Sequence, residues 1–237
     1  MRLLKMLLIF SLFQNMNYLS HYYILREYGE PSFTLGKVIP DLLRIFGPAH
    51  KIRKARNIET PQRASEWIMK GAYVHLESDR LFHQSAYFEN ETQHLKEEIK
   101  AGSSIRKYRY FYAHIFLEML IDRLLLLEYP ELGRHFYENL ERMETSDVQA
   151  FFELQAIAVD VDAFMQILHR FRKSRYLFEY LDDSGFLYAF TRILNQSGLP
   201  PLNRENRDFM ITLIHKSEER LKAGFLRMLQ EIEASIR

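Results

Sequence analysis

The chain has 237 residues, 47% hydrophobic and 27% charged, with 32 Lys+Arg against 31 Asp+Glu and a net charge of +1. That composition excludes an intrinsically disordered chain, and the charge balance gives no overall pull toward nucleic acid or an anionic membrane. Cysteine is absent, which removes disulfide scaffolds, thiolate-ligated zinc, iron–sulfur clusters and thiol catalysis and leaves open a cation site built from His and carboxylate.

Residues 1–15, MRLLKMLLIFSLFQN, place Arg2 and Lys5 before a short apolar run, Met6 to Phe13. The run is too short to span a bilayer, and Ser11–Asn15 offers no small-x-small cleavage site. The segment reads either as an N-terminal extension packed on the domain or as a misassigned start, with translation beginning at Met16. No other segment is long and apolar enough to cross a membrane, so a cytoplasmic location is expected.

From Tyr18 onward, apolar residues recur at three- and four-residue spacing, the helical period. The pattern predicts helices over Tyr18–Tyr28 and over Phe33–Phe46, the latter capped by Ser32 and kinked or broken at Pro40. Gly47 to Gln62 is a polar connector. Helices follow over Arg63–Ser85 and Glu89–Ala101, then a break at Gly102-Ser103-Ser104. Ile105–Leu127, the most apolar segment, reads as a buried central helix. Further helices are expected from Pro130 to about Met143, over Val148–Lys173 with Ser146 or Asp147 as cap, and over Arg175–Asn195 with an interruption near Asp182-Asp183-Ser184-Gly185. Gly198-Leu199-Pro200-Pro201 is a linker, and Arg204–Ile236 is a long terminal helix. Only nine Gly and seven Pro, with no Asn-Gly or Asp-Gly pair, fit long helices better than many short strands. The expected class is all-α, a single-domain multi-helix bundle over 16–237.

The sequence contains no GxxxxGK(S/T), GxGxxG, HExxH or GxSxG pattern. It does carry His and carboxylates on apolar helical faces, where charge is costly to bury unless it is paired or binds a metal. These are His21, then Asp41 between Ile39 and Leu42, then His75 and Asp79 at a spacing of four, with His83 one turn further on the same face. His114, Glu118 and Asp122 repeat the four-residue spacing on the most apolar helix. Each taken alone is a core histidine or a helix-surface contact; together, if they converge, they make an N/O site suited to Mn, Fe, Mg or Zn.

Three segments, MNYLSHYYI (Met16–Ile24), LGKVIPDLL (Leu35–Leu43) and GAYVHLESDRLFH (Gly71–His83), resemble the acyl carrier protein phosphodiesterase (acyl carrier protein hydrolase) family, grouped with the HD-domain phosphohydrolases. His21, Asp41, His75 and Asp79 fall on positions that match the family's pattern. Lys107–Leu125 resembles its Asp-x-x-x-Asp-His helix in two registers, one using His114 and Glu118, the other Glu118 and Asp122. Arg175–Tyr180 and Gly185–Leu187 resemble its carboxy-terminal helix, and the likeness spans roughly 16–194. It implies an HD-like bundle that uses a divalent metal, manganese foremost with Fe, Mg or Zn open. The metal ligands implied are His21, Asp41, His75, Asp79 and Glu118, with Asp41, Asp79 and Glu118 as catalytic groups. The implied reaction is cleavage of 4′-phosphopantetheine from holo acyl carrier protein.

That partner is acidic, so the resemblance also implies a basic face. Lys51, Arg53, Lys54 and Arg56 are the preferred cluster; Arg106, Lys107 and Arg109, and Arg170, Arg172, Lys173 and Arg175, are the others. The chain departs from the family where Leu76 replaces the basic residue after the His, where His83 replaces an Asp, and where the Asp-His pair becomes Glu118-Met119 or Asp122-Arg123. These departures leave two alternatives open: a catalytically degenerate helical binding or regulatory protein of the same fold, and an HD-type hydrolase of another phosphoester.

Overall fold

The computed structural model describes residues 18–47, 50, 52 and 62–237. The amino-terminal segment 1–15 and the cluster Lys51, Arg53, Lys54 and Arg56 lie outside the described residues. Among the described residues there are twelve α-helices, two short 3-10 segments and no strand, an all-α multi-helix bundle. Helices α1 (Tyr18–Tyr23), α2 (Pro31–Gly36) and α3 (Ile39–Arg44) are single short turns or little more. The long elements are α4 (Arg63–His83), α5 (Ala86–Gly102) and α6 (Arg109–Glu128). Then come α7 (Pro130–Glu141), α8 (Thr145–Gln155), α9 (Val161–Ser174), α10 (Asp183–Gln196), α11 (Arg204–Leu221) and α12 (Phe225–Ile236), with 3-10 turns at Arg26–Tyr28 and Tyr176–Leu181.

Helix α6 is the axis of the molecule. Every residue from Tyr112 to Leu126 is buried, as a helix apolar on all sides requires. It contacts α1, α5, α7, α10, α11 and the second 3-10 turn. Buried side chains from Leu19 to Ile232 join one hydrophobic cluster around it.

Several expected boundaries move for local reasons. The first helix stops at Tyr23 because Leu25 turns left-handed at φ 54°. The second helix begins at Pro31, not behind a Ser32 cap, and it breaks at Lys37–Val38, so that Pro40 falls in the first turn of α3, where its missing N–H leaves no bond unmade. The expected Val148–Lys173 helix is two helices: Ala156 is left-handed at φ 51°, and Asp160 restarts the chain by accepting the Ala163 N–H at 2.7 Å. The terminal helix likewise breaks at Lys222–Gly224.

The crossing of α2 and α4 fixes the geometry that matters for function. A Cβ on Gly71 would stand 2.2 Å from the Phe33 carbonyl oxygen, and one on Gly36 would stand 2.3 Å from the Ile68 carbonyl oxygen. The two backbones therefore touch. This contact brings the Lys37–Asp41 segment against the turn of α4 that begins at Gly71.

Candidate metal centre

Helix α1 is too short to hold itself in water, and both its ends are tied down by distant side chains. Asp122 of α6 accepts the backbone N–H of Leu19 at 3.0 Å, that of Ser20 at 2.8 Å, and the Ser20 hydroxyl at 2.7 Å. At the other end the Lys37 ammonium, 1% exposed, donates to the carbonyls of Tyr22 and Ile24. Asp122, one of the expected candidates, is thus a helix cap. Burial pushes its carboxyl up to about 7, against the hydrogen bonds from Ser20 and Leu19 that favour the carboxylate.

Pinned in this way, α1 delivers His21 to α4. Its ring stacks on His75 with centroids 3.9 Å apart. The Ser78 hydroxyl donates to the His75 carbonyl, so at 2.9 Å it accepts from His21 Nδ1. His75 Nδ1 donates to the Lys37 carbonyl at 2.8 Å. In a neutral ring each arrangement leaves the lone pair on Nε2. Burial drives the His75 pKa down to about 3, so this imidazole is neutral. Asp41 Oδ1 lies 3.6 Å from His75 Nε2, is buried, and makes no hydrogen bond. Burial raises the Asp41 pKa well above the usual range; Arg44 opposes this, and Asp79 and Glu118 add to it. The ligand atoms of His21, Asp41 and His75 all lie within 4.8 Å of one another.

Glu118 belongs to a second group. Its Oε1 is 2.9 Å from His114 Nε2 and 3.3 Å from His83 Nε2, and the two Nε2 atoms are 3.0 Å apart. Asp79 is in neither triad. Its Oδ1 lies 3.5 Å from His83 Nδ1, on the turn of α4 between His75 and His83. Burial would lower the His83 pKa, but Glu118 and Asp79 outweigh it and raise the group to about 9.

The five residues expected from the sequence are therefore split three, one and one. His83 and His114, singled out by their four-residue spacings but outside the expected ligand set, are the residues that the structure brings against Glu118. Of the two registers considered on α6, the one using His114 and Glu118 reaches this region. The other turns Asp122 to the α1 cap and Arg123 to a buried network, where its guanidinium meets Glu218, Asp183 at 2.9 Å and the Tyr180 carbonyl at 2.7 Å.

No family model, curated protein or solved structure matches the chain. The site must be read from its own chemistry. Two imidazoles and a carboxylate whose buried Oδ1 makes no hydrogen bond, with Arg44 Nη1 at 3.9 Å, could hold a divalent cation, which would complete the coordination of that oxygen. Arg106 and Lys107 are exposed, whereas Arg109, Arg172 and Arg175 are engaged with the Ile105 carbonyl, the Leu140 carbonyl and Glu141. Among the described residues no helix is long and apolar enough to cross a membrane.

Proposed function

We propose that the protein is a metal-dependent phosphodiesterase of the acyl carrier protein hydrolase type, acting on the phosphodiester between 4′-phosphopantetheine and its carrier. One observation supports the metal reading: ligand atoms of His21, Asp41 and His75, from three helices, lie within 4.8 Å of one another. The substrate rests on resemblance, and the three segments that carry it are those that supply these three side chains. Mn, Fe or Zn suits two imidazoles and a carboxylate better than Mg.

His21, Asp41 and His75 would hold the divalent cation, which would supply polarisation of a phosphoryl oxygen and a lowered pKa for a bound water. The resemblance gives Asp79 a catalytic role; its carboxylate, 14% exposed, lies beside His83. Glu118 holds His114 and His83. An acidic carrier would be met by a basic face, Lys51, Arg53, Lys54 and Arg56 being the preferred cluster. The test is direct: measure Mn, Fe and Zn in the purified protein and assay phosphopantetheine release from holo carrier. A folded sample with neither metal nor release overturns the reading.

The burial of the first triad favours a second reading. His21, His75 and Asp41 are 0%, 1% and 7% exposed, as in a catalytically degenerate binding protein that keeps its cation for structure. In that case His75→Ala leaves partner binding intact, whereas in the enzyme it abolishes turnover. A panel of phosphoesters separates a hydrolase of another substrate from both.

A further inference from the structure

Among the described residues, the group around Glu118 has tighter ligand geometry than the triad that carries the proposed function. Two ligands at right angles on a cation at about 2.1 Å stand about 3.0 Å apart. The three separations among His83 Nε2, His114 Nε2 and Glu118 Oε1 are 2.9, 3.0 and 3.3 Å. They lie within about 0.3 Å of the edges of one octahedral face.

The rings are also set for ligation. His83 Nδ1 donates to the Asp79 carbonyl at 2.8 Å, which turns Nε2 inward, the arrangement a metal-binding imidazole takes. Phe88 packs edge-on against both rings, with centroids 4.7 Å from His83 and 4.9 Å from His114. One proton between the two Nε2 atoms, 3.0 Å apart, satisfies the pair in the metal-free protein; a cation in its place would be held by the same two lone pairs and the Glu118 carboxylate.

We propose that His83, His114 and Glu118 form a second transition-metal site, separate from the His21–Asp41–His75 triad and nearer to solvent. His75 and His83 are two turns apart on α4, about 12 Å along the axis. The His83 side chain is 19% exposed, against 1% for His75. The accessible cation is therefore the one at His83, and Asp79 stands on the turn between the two sites. This is a claim about binding and holds whether or not the protein hydrolyses a phosphodiester.

The experiment is a titration of metal-free protein with Zn²⁺, read by calorimetry and by ¹⁵N resonances of the histidine rings. Wild type is expected to take up two equivalents, and His83→Gln and His114→Gln one each. His75→Gln should lose the other equivalent and keep this one. In wild type the ring nitrogens of His83 and His114 should shift with one equivalent, which needs no variant to fold. Ring resonances of His83 and His114 that stay put at saturating Zn²⁺ would mean a His–Glu cluster held by protons alone and would overturn the proposal; a single equivalent that shifts them would keep this site and count against the His21–Asp41–His75 triad. Failure of hydrolysis with two equivalents bound would count against the proposed function only.

Discussion

The carboxylate of Asp122, on the central helix, accepts both the backbone N–H and the hydroxyl of Ser20, the residue before His21. A side chain about one hundred residues away thus decides where the first imidazole of the site stands. Hydrogen bonds to a charged group contribute about 1.5–3 kcal/mol each, and stranding buried donors costs about 1–3 kcal/mol. Asp122→Ala should therefore destabilise the fold by roughly 3–5 kcal/mol, non-additivity included. Urea denaturation measures this. A loss under 1 kcal/mol would mean that α1 does not depend on the cap.

The contact of Gly36 and Gly71 makes a second expectation. A methyl group on Gly71 has no flexible neighbour to displace, only the Phe33 carbonyl and Gly36 backbone. Gly71→Ala should push α2 from α4, cost about 1–3 kcal/mol or more, and lengthen the bond from His75 to the Lys37 carbonyl. Weaker metal uptake at the first triad, with the second unchanged, would follow. Thermal melts with and without Zn²⁺ read both effects.

Asp41 should separate stability from function. Its Oδ1 is buried without a hydrogen bond and has only the Arg44 guanidinium at 3.9 Å to offset its charge, a costly arrangement in the absence of a bound metal. Asp41→Asn should leave the metal-free protein more stable by about 1 kcal/mol and abolish the metal-induced rise in melting temperature. If the metal-free variant is instead less stable, Asp41 is held for its protein contacts.

Lys37 gives a pH signature. Burial lowers its pKa from 10.5 to about 7, with Glu27 and Glu233 drawing it back up and Arg26 pressing it down. Between those values the unfolded chain binds a proton that the folded chain does not, so this residue's contribution to stability rises with pH from about 7 to 10.5. His83, raised to about 9, acts in an overlapping window with the opposite sign. The quantity to measure is therefore the stability of wild type minus that of Lys37→Met, which should grow across this range. A difference independent of pH would show that Lys37 stays charged when buried.

Sequence by itself determined the all-α class, the buried central helix and the His–carboxylate rows on α4 and α6, because the helical period is local and writes itself into three- and four-residue spacing. It left the helix breaks at Ala156 and Lys222–Gly224 unread: the first rests on one left-handed residue with a Cβ, the second on a short turn, and neither interrupts the apolar pattern. It took Glu118 in either register but could not choose between His114 and Asp122 as its companion, since a helix buried on every side has no polar face to mark which of them turns toward the site. Tertiary structure made that choice. Asp122 went to the cap of α1, Arg123 to Glu218 and Asp183, and Glu118 to His83 and His114, because each buried charge takes the partner that the packed backbones bring within reach.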